Sequence, residues 1–517
     1  MTFRKNIFAV AVAVGCFALG TSQTLLAQST HLTAKNLGLG GGGTAYIDSY
    51  HANFVNPANL MLNEGIKPRF SIGLIGGISS SVGGSLVNVS VYNQYFTKGD
   101  TLAGAVASEM LDKWFGSDPG NMRSAGVQLD VIPIGLAYRG KNAGIGIALR
   151  NRVLLNTGIS RGFAELGIHG LDGDVFSTAR PVNMNMDMLA FHEASLGYSR
   201  KLIDIPNIGI AKNVKVYAGV APKLLLGAHT SRLNLKSTLL MQGAEENSID
   251  LIRHDFSYTL ETNGAMAGQL REYHSDKQQM DEAPDLGDYL EPEPEDFLGI
   301  NGMGWGLDLG ATIEMDLNVP VIGWIARGPE KLRIGASITD LGSITFSEKA
   351  GRFTAKDVME WRGFEFDQER IDRDFNGSRD EYMEYVLQDS IASNMYGSFA
   401  PEDVGKVTRK LPAMVNVGAQ LILRKLSLSV DFSKGFEEWG TSSERLSFAG
   451  GIEYRLLGFL PLRVGMRKGG VSSTSYSAGA GIEFKHLELS IAASTVRDSG
   501  SYGSNAAAAW SGLVLRF

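Results

Sequence analysis

Side chains able to do chemistry are thinly spread along this chain. The eight histidines are scattered, with no two at metal-ligand spacing and no carboxylate pattern around them. No nucleophile elbow occurs, and Cys16 is the only cysteine, so acyl transfer through a serine and thiol chemistry both lack their residues. No enzyme activity is expected. The one ion-binding pattern runs from Asp372 to Asp380, where Asp372, Asp374 and Asn376 place oxygens at alternate positions ahead of a turn-making Gly377, as Ca²⁺ loops do. Twelfth place goes to Met383 rather than a bidentate acid, with Glu384 one beyond, and a solvated acidic loop is the competing account. Ca²⁺ is the only candidate ion, and no other cofactor is expected. The run Leu37 to Gly43, LGLGGGG, could pass for a phosphate loop, but a possible leader cleavage site stands too close for the preceding strand such a loop needs.

The charges are more regular. Arg333, Asp431, Glu453, Arg455, Arg463, Arg467, Glu483 and Arg516, with Asp308, Glu314 and Glu488, all fall on the polar side of alternating segments. Both signs on one face predict a water-lined or ion-paired interior. Such charges either select a solute or pair with one another and hold a segment inside.

The elements that position them read as strands. From Pro412 to Arg424, Ala413, Val415, Val417, Ala419, Leu421 and Leu423 share one face; from Leu426, Leu428, Val430 and Phe432 alternate with Ser427, Ser429, Asp431 and Ser433. With no spare residues at Arg424-Lys425, the two make a hairpin. Similar alternation recurs in separate segments, from Ile145 to Leu149 through Leu487 to Ala493, and a parity flip between Val131 and Ile132, beside Pro133, predicts a bulge. The final stretch, Asn505 to Phe517, puts Ala509, Ser511, Leu513, Leu515 and Phe517 on one face and Trp510, Gly512, Val514 and Arg516 on the other. That is one membrane-crossing strand of about ten residues. Counting back from it, short turns (Leu202 to Asn213 among them) alternate with long segments (Thr97 to Arg123, Asn156 to Asp187, Glu261 to Gly302, Ser347 to Leu411), as in barrels with short inner turns and long outer loops. Thr101 to Phe115 reads as an amphipathic helix with Leu102, Val106, Met110 and Leu111 on one face. Asp281 to Asp296 reads as a flexible acidic loop.

Composition agrees. The 517 residues include 63 Gly, 20% are charged, and the mean hydropathy is -0.03. Past the start of the chain no run reaches the roughly 18 apolar residues of a spanning helix. A net charge of -7 offers no basic patch, so no nucleic-acid partner is expected. Residues 1–27 read as a secretory leader: Arg4 and Lys5, an apolar Ile7 to Leu19, and Leu25-Leu26-Ala27 before Gln28. The exported chain would then carry no cysteine, and its stability must come from a closed hydrogen-bonded ladder.

Two stretches resemble known things. A terminal Phe517 with Leu515 two before it and Gly512 ahead resembles the C-terminal signal read by the barrel-assembly machinery of Gram-negative outer membranes; Trp510 departs from the polar residue expected there. Asn36 to Leu62, with Gly38, Gly40 and Gly41 and then Asn56-Pro57-Ala58 ahead of Leu60, resembles the N-terminus of FadL-type barrels. Those are outer-membrane transporters of long-chain fatty acids and other hydrophobic compounds. The resemblance implies that Gly38 to Leu62 folds back into the barrel as a plug with Gly38, Gly40, Gly41, Asn56, Pro57 and Ala58 at the gate. The expectation is therefore an all-β, antiparallel transmembrane barrel of 14 strands, within about 12 to 16. A plug segment would occupy 28–66 and the barrel 67–517, in outer-membrane lipid. Its function would be passage of small hydrophobic molecules, or alternatively a non-transporting scaffold for secretion or surface attachment.

Overall fold

The computed structural model describes residues 31–62, 69–97, 102, 104–171, 173–209, 211–243, 248–279, 289, 299–317, 330–347, 349–379, 381–383, 385–386, 400–437, 439, 442–469, 472–496 and 503–517. The expected leader, residues 1–27, and all of the 281–296 loop but Tyr289 lie outside them.

The chain forms a closed antiparallel barrel of 14 strands, the number expected from the alternation. They are β1 (Phe70–Gly84), β2 (Met122–Arg139), β3 (Ala143–Ser160), β4 (Met184–Ile208), β5 (Ala211–Gln242), β6 (Gly302–Leu317) and β7 (Glu330–Phe346). There follow β8 (Val407–Lys410 with Met414–Leu423), β9 (Leu426–Gly435), β10 (Ser447–Leu456), β11 (Leu460–Gly469), β12 (Ser472–Glu483), β13 (Leu487–Val496) and β14 (Ser504–Trp510 with Leu513–Arg516). Each pairs with its neighbours in sequence, and β14 closes on β1 through Ile78↔Trp510 and Ile72↔Leu515. Closure leaves no unpaired strand edge facing hydrocarbon.

Alternation decides the faces. Leu74, Leu129, Ile147, Leu196, Leu309, Ile334, Val417, Leu428, Ile452, Val464 and Ile491 stand exposed on the outside, an apolar band for lipid. Phe70, Tyr138, Tyr198, Tyr454, Phe484 and Phe517 gird it at the short-turn rim. The bulge expected near Pro133 is present as a register shift between Val131 and Gly135.

Three expectations need correction. In β14 the face changes at Ser511-Gly512, where Gly512 takes φ +67° against a bulge at Ile75 (φ +49°) in β1. Ala509 and Ser511 therefore point inward, and only Leu513, Leu515 and Phe517 keep the lipid face. The turn read as Leu202 to Asn213 is far tighter, because β4 runs on to Ile208 and pairs there with Ala211. The helix expected at Thr101 to Phe115 is Gly104–Phe115, and it buries Ala107, Met110, Leu111 and Phe115 while Val106 is exposed.

The long loops carry structure of their own. The outer part of β5 pairs with Ser248–Thr262, that strand with Gly351–Glu365, and that with Ala400–Asp403. The helix Gly264–Lys277 packs across this outer sheet, burying Ala267 and Leu270 against Phe256, Phe353 and Met359.

Candidate functional site

Inside the barrel lies the segment 31–62. A short helix, Ala34–Gly38, is capped by Thr33, whose side chain accepts from the Asn36 amide while Asn36 returns a bond to the Thr33 amide. Two 3₁₀ turns follow, Ser49–Phe54 and Pro57–Met61, the second capped by Asn56 with Pro57 in its first turn. A segment of helical turns cannot join the wall's ladder, so its polar groups must be met one by one. Asn56 Nδ2 donates to the Thr44 carbonyl at 2.8 Å and to Thr312 Oγ1 at 2.9 Å, and Thr312 donates to Asn59 Oδ1 at 2.6 Å. Asn53 donates to the Gly146 carbonyl, Tyr50 to that of Gly76, and Ser199 to that of Ala58. The Thr44 amide donates to Asp431 Oδ1 at 2.9 Å, and Arg467 donates to the Gly41 carbonyl at 3.0 Å.

The wall makes room for this segment with glycine. Five cross-strand pairs, Gly73↔Gly135, Gly146↔Gly197, Gly219↔Gly310, Gly335↔Gly418 and Gly451↔Gly465, face inward around the barrel. A Cβ at Gly135 would lie 2.2 Å from the Tyr50 ring, at Gly197 2.0 Å from Asn53 Oδ1, and at Gly219 2.3 Å from the Ala58 amide nitrogen. At Gly310 it would lie 1.9 Å from Asn56 Oδ1 and at Gly465 2.2 Å from the Gly40 nitrogen. Sequence reading noted the glycines of the segment and missed those of the wall. Their signal was one Gly at the same relative height in strand after strand.

Toward the long-loop end the next layer is charged. Arg150 meets Glu193 at 2.7 Å, Arg152 meets Asp340 at 2.7 Å, and Lys223 Nζ sits 2.8 to 2.9 Å from Glu193, Asp308 and Asp340, all fully buried. Asp130 joins at 3.5 Å from Arg152 and 3.8 Å from Arg150. Local backbone explains two of these acids. Register slips between Leu307 and Leu309, Asp340 takes φ +56°, and its amide donates to Asp308 Oδ1 at 2.7 Å. The bulge turns both carboxylates onto Lys223. Phe54 of the inner segment lies under this layer, its ring 4.2 Å from the Arg150 guanidinium. Of these residues only Asp308 was singled out from sequence, because the alternation read at Ile145 to Leu149 stopped one residue short of Arg150.

Beyond the charges the lumen turns apolar. Leu154, Leu189, Phe191, Leu225, Ile344 and Phe346 form a buried cluster with Leu411 and Trp439.

The other charges expected on the inner face are paired, and all but the half-buried Arg455 are buried. Arg463 donates to Glu453 at 2.7 Å and to Glu483, while Arg455 meets the same two acids at 2.9 and 2.7 Å. Arg333 lies 2.9 Å from Glu314, and Arg516 pairs with Glu488. The Ca²⁺ candidates lie apart from all this. Asp372 and Asp374 end the helix Gln368–Asp374, Asn376 follows at φ +53°, and side chains two apart on a helix diverge. Gln368 occupies Asp372 at 2.8 Å, and Arg373 at 2.9 Å from Asp374 holds that carboxyl below its usual range. Among the described residues no three His, Cys, Asp or Glu side chains gather as a metal site.

Residues 63–494 match the family of unknown function DUF5723. This chain belongs to that family. No curated protein matches it. Solved structures similar to this DUF5723 chain include the Ralstonia pickettii toluene transporter TbuX, at 14% identity over 94% of this chain and 99% of that one, TM-score 0.43. A Pseudomonas aeruginosa FadL homologue is 12% identical over 95% and 98%, TM-score 0.41. The Pseudomonas putida toluene transporter TodX is 10% identical over 96% and 98%, TM-score 0.39.

Proposed function

We propose that this chain is an outer-membrane channel for small hydrophobic molecules, with the segment 31–62 as its plug. One observation carries the reading: beyond the charge layer, eight large apolar side chains around Leu225 and Phe346 cluster inside the barrel. A water-filled interior has no need of eight large apolar side chains there, whereas a molecule entering under the long loops would lose water against them. The charge layer and the plug then lie between that lodging and the short-turn rim, which faces the periplasm in this reading. Outer-membrane lipid surrounds the barrel, and the assembly machinery reads Gly512, Leu515 and Phe517. The test is uptake of a monoaromatic hydrocarbon and a fatty acid into vesicles carrying the full chain. Entry should exceed that of protein-free vesicles and fall about 10-fold or more in Leu225→Asp, since a buried carboxylate costs well over 1.4 kcal/mol. No excess entry from an assembled barrel sinks the channel reading.

The second reading, a closed scaffold for secretion or surface attachment, draws on the glycine pairs and the buried ion pairs. Both fit a plug that stays fixed. It is favoured if uptake fails while a partner copurifies in stable proportion.

A further inference from the structure

Two histidines that sequence spacing keeps apart meet inside the barrel. His31 and His51 both lie on the inner segment, with His31 Nε2 2.9 Å from His51 Nδ1 and the rings stacked at 5.2 Å. Asp130 of the wall stands 3.8 Å from His31 Nδ1, with Arg150 and Arg152 behind it, and the Phe54 ring closes the same side. His51 faces Tyr50 and a small cleft lined by Thr33, Lys35, Asp48, Glu488 and Arg516, at the seam where β14 closes on β1. Its Nε2 is buried without a partner among the described residues.

We propose that this pair is an acid-sensitive latch: the two rings hold the inner segment in the shape that docks, with His31 turned to Asp130 of the wall. A hydrogen bond between two imidazoles needs one nitrogen to accept, so the docked pair takes up at most one proton beyond those of its two neutral rings. A second would set two N–H groups and two like charges against each other in a dry site. The charged groups around it are Asp130, Arg150 and Arg152 on the wall side of His31, and Lys35, Asp48, Glu488 and Arg516 around His51. The cations Arg150, Arg152 and Arg516 add to the repulsion, whereas Asp130 can shelter only the first proton. Burial lowers the affinity of both rings for protons below the ordinary histidine value. A base whose docked pKa is lowered takes up protons on release, so docking is strongest above about pH 6.5 and weakens as pH falls below it. With one or two protons taken up, release becomes about 10-fold to 100-fold easier per pH unit. The cleft gives protons a way in from the seam. None of this depends on what passes through the barrel.

The test is hydrogen exchange of the assembled full chain from about pH 7.5 to about pH 5, corrected for the intrinsic rate. Opening of residues 31–62 should rise about 10-fold to 100-fold per unit below about pH 6.5, with the amides of β9 and β10 unchanged. In His31→Gln with His51→Gln, which keeps a hydrogen bond but cannot take the protons, the rise should vanish. Should that double variant not assemble, His51→Gln alone should give a smaller rise than the unaltered chain, since only His31 is left to take up a proton. The proposal is overturned by a flat profile in the unaltered chain, or by the same slope in a variant lacking these imidazoles.

Discussion

A single carbon atom tests the glycine girdle. Gly310 faces Asn56, whose amide holds the Thr44 carbonyl and Thr312 together, and an added Cβ would lie 1.9 Å from Asn56 Oδ1. Gly310→Val must push Asn56 off those partners or bend β6. A cost of about 1 to 3 kcal/mol in docking is expected, read as faster proteolysis or exchange of residues 31–62 while the barrel stays assembled. Gly167 is the control. It lies in the helix Arg161–His169, where an added Cβ would meet no atom within 4 Å, and Gly167→Ala should leave both readouts unchanged or slightly firmer. Equal losses in the two variants would mean that the wall glycines serve the strands and not the segment they face.

At the scale of elements, the seam between β14 and β1 is the delicate join. Gly512 sits at φ +67°, and a Cβ there would come 1.7 Å from the Ile75 carbonyl. Gly512→Val should therefore lower the fraction of closed barrel and reduce its unfolding free energy in urea by about 2 kcal/mol or more, whereas Ala508→Val, on the exposed face of the same strand, should do neither. This bulge also marks where sequence stopped being legible. Period-two alternation read the strand count, the hairpin at Arg424-Lys425 and the inner face of Arg463 and Glu483, because a strand's two faces show directly in its residues. It misassigned Ala509 and Ser511, because one residue of bulge shifts every side chain after it and leaves composition untouched. The outer sheet of Ser248–Thr262 and Gly351–Glu365 was hidden for a different reason. Its strands pair across about 100 residues of chain, so Gly351–Glu365 looks in sequence like part of the long segment Ser347 to Leu411, and Ser248–Thr262 shows no partner beside it. The His31–His51 contact was invisible in the same way: twenty residues separate the two, and only the turns between them bring the rings together.

At the scale of the whole molecule, closure depends on its last residue. The Phe517 amide donates to the Phe70 carbonyl at 2.9 Å, and the Phe517 carbonyl accepts from the Arg69 and Phe70 amides at 2.8 and 3.1 Å. These bonds finish the ladder that Leu513–Arg516 makes with Ser71 to Leu74. Its ring stands on the lipid side, in line with Leu513 and Leu515. Deleting Phe517 removes the three bonds at the rim and the aromatic end that assembly would read. In hydrocarbon each orphaned backbone group costs several kcal/mol, so an open seam is not tolerated as a loop end in water would be. The expected result is exported chain that fails to close, is cut by periplasmic proteases, and shows no compact band before boiling on a gel. Arg516→Gln should be milder. It gives up the ion pair with Glu488 at the rim of the cleft but keeps every ladder bond and the lipid face, so it should assemble and unfold at a somewhat lower urea concentration. A chain lacking Phe517 that still migrates as a compact, heat-modifiable band would show that β14 closes on β1 without its terminal residue, and that the barrel is sealed by the bonds above the Gly512 bulge alone.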